Sequence, residues 1–139
     1  SCRSFNKNWM CPPAIGTLEQ SADKVKEYSF GMIVQTTAFM DDEFDYETIR
    51  ETQKKHNNSF LELATILRKE YPSVLPMGAG ACSICNQCTY PDKPCRFPDK
   101  AIGSMESYGL WVSKVCEKSS IPYYYGKNTL TFTSCFLLK

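Results

Sequence analysis

The sequence has a single histidine in 139 residues, no long run of lysine and arginine, no apolar run of bilayer length and no internal repeat. Each absence removes a class of function. With Lys+Arg 16 against Asp+Glu 15 and a net charge of +1, there is no basic stripe to meet nucleic-acid phosphates or an anionic membrane surface. Without an apolar stretch of roughly twenty residues no membrane span is expected. No charged-then-apolar leader precedes the first cysteine, so the reading is a cytoplasmic, reducing location with proteins or small molecules as partners. The 8 Cys in 139 residues fall short of the density of a disulfide scaffold. A chain of this length also buries a core without cystine staples, which leaves the thiols available for chemistry. The length corresponds to one domain, residues 1–139. Because the chain starts at Ser1 with no Met and meets a cysteine at once, removal of upstream residues, with any ligand they carried, is expected.

What is present is concentrated in Gly80-Ala81-Cys82-Ser83-Ile84-Cys85-Asn86-Gln87-Cys88, followed by Pro94-Cys95-Arg96-Phe97-Pro98. Three evenly spaced thiols and a fourth beyond a proline-rich loop turn their sulfurs toward one centre, as a cuboidal iron–sulfur cluster requires. Pro91, Pro94 and Pro98 fix φ and remove N–H donors, so the segment cannot relax into a helix that would point the thiols apart. Asn86, Gln87 and the loop amides are available as N–H···S donors. Zinc is the alternative, although structural zinc favours two separated C-x2-C pairs. Disulfides come third, since cystines within so short a loop are strained. Cys2 and Cys11, the latter followed by Pro12-Pro13, form part of a weaker second metal site, or else a pair of ordinary loop cysteines.

The rest of the chain reads as a frame for this loop. Thr17-Leu18-Glu19-Gln20 is a capping box that starts a short helix to about Glu27. Residues 30–39 carry apolar side chains on both faces and predict a buried strand, central in the sheet. Asp45 caps a helix with Ile49, Gln53, His56, Phe60, Leu63 and Leu67 on one stripe, ending near Glu70, with a possible kink at Asn57-Asn58-Ser59. His56 lies on that stripe far from the cysteines and reads as a core or boundary residue. Val74–Met77 is a short strand, and Gly78-Ala79-Gly80 allows close backbone approach to a cluster or ligand. Ser104 is expected to cap a second longer helix with Met105, Tyr108, Trp111, Val112, Val115 and Cys116 buried, and Ile121-Pro122 to stop it. Tyr123–Tyr125, a Gly126-Lys127-Asn128 turn and residues 129–138 read as a closing hairpin or paired strands. Cys116 and Cys135 are assigned to packing. The whole is an α+β domain, a small mixed β-sheet with the two longer helices on one face and a Cys-rich metal-binding loop.

Cys11-Pro12-Pro13, the Cys82 to Cys88 run, Pro94-Cys95-Arg96-Phe97-Pro98 and Ser104-Met105-Glu106-Ser107-Tyr108-Gly109 together resemble the prokaryotic predicted metal-binding proteins of domain of unknown function 2284. The resemblance covers almost the whole chain. It implies metal binding through an early cysteine cluster ending in C-P-P and a later one ending in C-R-x-P, and it implies no substrate. Family members carry a further cysteine just ahead of the position of Cys2, which this sequence lacks.

These readings lead to a protein that binds a [4Fe-4S] cluster through Cys82, Cys85, Cys88 and Cys95 and carries electrons to a redox protein partner. Four thiolates leave no open iron position for substrate, so the chain is not expected to be an enzyme on its own. The alternatives are a structural zinc module for protein interaction and a subunit of an anaerobic redox enzyme. The C-x2-C-x2-C spacing is not the C-x3-C-x2-C of radical chemistry from S-adenosylmethionine. No particular small-molecule ligand is indicated.

Overall fold

A computed structural model describes residues 2–139. Its elements are helix α1 (Leu18–Lys26), strand β1 (Phe30–Phe39), helix α2 (Tyr46–Glu70), strand β2 (Val74–Gly78), strand β3 (Gly103–Ser104), helix α3 (Val112–Lys118) and strand β4 (Thr129–Leu138). The class is α+β, with a four-stranded mixed sheet in the order β1-β4-β2-β3. β4 is antiparallel to both β1 and β2, whereas β2 and β3 run parallel. Among the described residues no helix is long and apolar enough to cross a membrane.

Local chemistry accounts for the first elements. Thr17 and Gln20 close a reciprocal capping box at 3.1 Å and 2.8 Å, which satisfies two amides that have no partner within α1. Asp45 caps α2, accepting from the Thr48 amide at 3.2 Å and the Thr48 hydroxyl at 2.7 Å. α2 runs as one α-helix through Asn57-Asn58-Ser59. Its buried stripe of Thr52, His56, Phe60, Ala64 and Leu67 recurs at three and four residues and presses continuously on the sheet, which outweighs the weak helical preference of those three.

The expected central place of β1 is corrected: β1 is an edge, and β4 is the strand that lies between neighbours. Apolar side chains on both faces of β1 report that both faces are half-covered, which is not the same as being hydrogen-bonded on both sides. Pro76 is tolerated inside β2 because Ser73 and Lys139 exchange both backbone bonds, which sets the odd-numbered residues of β2 against β4. The Pro76 nitrogen therefore faces away from that ladder.

The helices divide between the two faces of the sheet, where the sequence pattern placed the longer ones together. On one face Phe60, Ala64 and Leu67 of α2 pack with Ile102, Phe136 and Leu138. On the other, Val112 and Cys116 of α3 join Leu75, Met77, Met105, Tyr108 and Cys135, with Val25 of α1 and Tyr28 at the margin. Neighbouring residues on β4, Cys135 and Phe136, feed opposite cores, as strand alternation demands.

The long second helix is also corrected. Gly103–Ser104 is a strand paired to Met77–Gly78, Glu106–Tyr108 is a single 3₁₀ turn, and α3 begins only at Val112. Ser104 does cap, but it caps the 3₁₀ turn, its Oγ accepting from the Ser107 amide at 3.0 Å. Gly109 then adopts φ +83°, a left-handed conformation that ends the turn and suits glycine. The break rotates Trp111 out of the stripe to 69% exposure, with Lys114 over its ring. Of the two readings of the C-terminal stretch the hairpin is corrected, since Tyr123–Tyr125 belongs to no strand, while residues 129–138 do form a paired strand, β4, between β1 and β2.

Cys116 and Cys135 are buried, as expected of packing residues, and the fold adds that they are neighbours in one core. Burial pushes both thiols up, Cys135 to about 11, with the nearby Cys116 adding to the effect. Both stay protonated and unreactive at neutral pH. Cys116→Ala is expected to cost about 1–2 kcal/mol in urea unfolding and to leave metal content unchanged. Loss of metal in that variant would refute the packing role.

Candidate metal centre

The segment between β2 and β3 contains neither helix nor strand. Its shape is held by proline and by a few bonds across the loop. The Thr89 hydroxyl donates to the Pro94 carbonyl at 2.9 Å, and the Lys93 amide to the Thr89 carbonyl at 3.1 Å. Arg96 donates from its guanidinium to the Gln87 carbonyl at 2.9 Å. That contact ties the residue after Cys95 to the residue before Cys88. Arg96 thus faces into the loop.

One small cavity in this loop is lined by Cys82, Cys85, Cys88 and Cys95, walled by the apolar Trp9, Met10, Ile84, Phe97 and Ala101. The four thiols of the sequence motif all border this cavity. All four are partly buried and none is in a disulfide. Among the described residues no three His, Cys, Asp or Glu side chains stand close enough together to hold a metal ion without rearrangement.

The chemistry of the donor set fits a soft metal. The lining contains four thiols, the thioether of Met10 and no carboxylate or imidazole. From Ala79 to Cys88 no backbone N–H donates to a protein acceptor among the described residues, so these amides are available to anionic sulfur. N–H···S bonds of that kind stabilise a negatively charged thiolate centre.

The N-terminal segment lies over this loop, a contact that sequence spacing did not reveal. The Trp9 indole N–H donates to the Lys93 carbonyl at 3.0 Å, and its ring meets Tyr90 edge-on with centroids 4.8 Å apart. The Tyr90 hydroxyl donates to Asn6 Oδ1. Cys11 is only 3% exposed, and burial pushes its thiol up, opposed by a hydrogen bond with Ser107 and reinforced by the neighbouring thiols of Cys2, Cys82 and Cys88. Cys2, by contrast, is exposed. Cys11 therefore lies near both Cys2 and the thiols of the main loop. The signals for this docking were Trp9 and Tyr90, whose large rings in otherwise polar loops need an apolar surface to cover.

His56 is kept apart from the cysteines. It is fully buried between α2 and the sheet, with Nδ1 2.8 Å from Thr36 Oγ1 and Nε2 2.6 Å from Ser134 Oγ. Both ring nitrogens are thereby engaged, which makes it a core residue. A second cavity, of about 80 Å³, borders Cys82 from the other side, between Gln53, Asn57 and Phe60 of α2 and the Gly78–Ile84 backbone.

No curated protein and no solved structure matches the chain. A family model described as predicted metal-binding protein matches residues 1–138. The cysteine-lined cavity is thus found in a chain that belongs to the predicted metal-binding proteins of domain of unknown function 2284.

Proposed function

We propose that the protein binds a [4Fe-4S] cluster through Cys82, Cys85, Cys88 and Cys95 and passes electrons to a redox protein partner. The observation that carries this reading is the single apolar-walled cavity lined by all four thiols. Metal binding supplies free energy that orders thiolate ligands about a common centre. When bound, the cluster supplies one-electron chemistry. The chain's own part is to fix four thiolates, offer loop amides to the sulfurs and exclude water with Trp9, Met10, Ile84 and Phe97. With every iron position taken by a thiolate, substrate has no coordination site, which favours a carrier over a Lewis-acid catalyst. A reducing, cytoplasmic setting keeps such thiolates competent.

The same donor set would serve zinc, giving a structural module for protein interaction. Iron, zinc and sulfide analysis of anaerobically purified protein, with its electronic spectrum, separates the two. Zinc at one per chain with no sulfide would sink the cluster. The cavity beside Gly78–Ile84 favours a second reading, a subunit of an anaerobic redox enzyme whose small substrate sits next to Cys82. A redox titration that shifts on addition of a candidate substrate would support it.

Arg96 lines the cysteine cavity, and its guanidinium is anchored on the Gln87 carbonyl at 2.9 Å. A cationic group held there favours the more negative, reduced state of a thiolate-bound cluster. Arg96→Gln at equal metal content is therefore expected to lower the midpoint potential. An unchanged potential would remove Arg96 from this role.

A further inference from the structure

We propose that β1 is a dimerisation edge, pairing antiparallel with β1 of a second copy to make one continuous eight-stranded sheet. The proposal rests on the fold and is independent of the metal reading.

The hydrogen-bonding phase of β1 follows from its flanks. The Met40 amide donates to Asn128, its register partner one step beyond Phe39–Thr129, so even-numbered residues of β1 bond to β4. On β4 the odd-numbered residues are turned to β2, as the reciprocal Ser73–Lys139 bonds require, which leaves the even ones for β1. Hence the backbone N–H and C=O groups of Gly31, Ile33, Gln35, Thr37 and Phe39 point away from the sheet. Outside the sheet ladder, none of those amides donates to a backbone carbonyl among the described residues. The Ile121–Tyr125 loop is bonded to β1 through the Gln35 side chain, which donates to the Pro122 carbonyl at 2.8 Å and accepts from Tyr125. No further strand lies beyond β1 in the sheet.

Three features select a second copy as the occupant. First, FGMIVQTTAF is ten residues long and contains no charge and no proline, the usual devices that keep an edge from pairing. A two-fold arrangement of uncharged strands meets no like-charge repulsion. Second, outward groups can bond only odd residue to odd residue. The antiparallel register centred on Gln35 is the one that uses all five, setting Gly31 against Phe39, Ile33 against Thr37 and Gln35 against itself. Third, Phe39 is 80% exposed in the single copy, and this register lays it across Gly31 of the second copy, which has no side chain to obstruct the ring. The strand order also suits function: β2 and β3, which flank the cysteine loop, lie at the far ends of the joined sheet. Both cysteine loops remain accessible.

The test uses the full, metal-loaded chain in light scattering coupled to size exclusion over a concentration series. Twice the chain mass is expected. Thr37→Pro removes one outward N–H without touching the β1–β4 ladder and is expected to return the monomer mass. Thr37→Val loses the same Thr131 hydroxyl contact at 3.0 Å but keeps the amide, and should remain dimeric. Independently of any substitution, amide exchange of Ile33, Gln35 and Thr37 should slow as concentration rises, while Val34 and Thr36 stay slow throughout. A parent protein that is monomeric at every concentration, a dimeric Thr37→Pro, or exchange at those three amides that ignores concentration would each overturn the proposal.

Discussion

Cys85→Ala is expected to lose most of its iron and inorganic sulfide when purified without oxygen, together with the visible absorption of a cluster. Cys85 is the middle thiol of the run, and its partners Cys82, Cys88 and Cys95 line the same cavity. Three thiolates leave one corner of a cuboidal cluster to solvent, and the cavity walls offer no carboxylate or imidazole as a replacement. The loss extends to order in the loop. Between Ala79 and Ile102 there is no helix or strand to hold the chain, so metal–thiolate bonds of the proposed centre would carry much of its structure. The loop should therefore become sensitive to proteolysis while the sheet persists. Full iron content and an unchanged spectrum in Cys85→Ala would remove these four thiols as the ligand set.

His56→Ala is expected to destabilise the fold by about 3–5 kcal/mol, combining a cavity with loss of the hydrogen-bond partner of buried Ser134 and of Thr36. The ring is completely buried, lies 2.6 Å from Ser134 Oγ and 2.8 Å from Thr36 Oγ1, and stacks against Phe60 and Phe132 at centroid distances of 6.4 Å and 5.9 Å. Burial holds its pKa below the ordinary 6.5. The unfolded chain then binds a proton over a range of pH where the folded one does not, so stability is complete above 6.5 and declines as pH falls below it. Asp45 titrates lower still, because the Thr48 hydroxyl and the Asp41 and Thr48 amides hold it below 3.8. It does not confuse that window. Urea unfolding at pH 7.5 and 5.5, both round figures on either side of about 6.5, should show a lower midpoint at the acid value. The dependence should be weaker in His56→Ala. Equal midpoints in the parent protein would contradict a neutral buried imidazole.

The elements that sequence located best are those whose determinants are local. Thr17 with Gln20, and Asp45 with the stripe from Thr52 to Leu67, state both where a helix begins and which face it buries. The absence of a helix from Cys82 to Cys95 was legible for the same reason: proline withholds the helical alternative. The stripe from Met105 to Cys116 misled because its apolar spacing continues through Gly109, whose left-handed backbone splits a 3₁₀ turn from α3. Buried residues on both sides of that break serve one core, so periodicity survived where the helix did not.

Sequence alone determined the family to which the chain belongs and the start of its capped helices, since motif spacing and capping residues are properties of the chain over short distances. Only tertiary structure decided strand order, the assignment of α2 and α3 to opposite faces, the adjacency of Cys116 and Cys135, and the docking of Trp9 and Cys11 against the Cys82 loop. Those contacts join residues scores of positions apart, and each is chosen by the fit of whole surfaces. β4 is the clearest instance. Its alternation predicts a buried strand, but its place between β1 and β2 follows from which edges the rest of the chain left open when the two cores closed on either side of it.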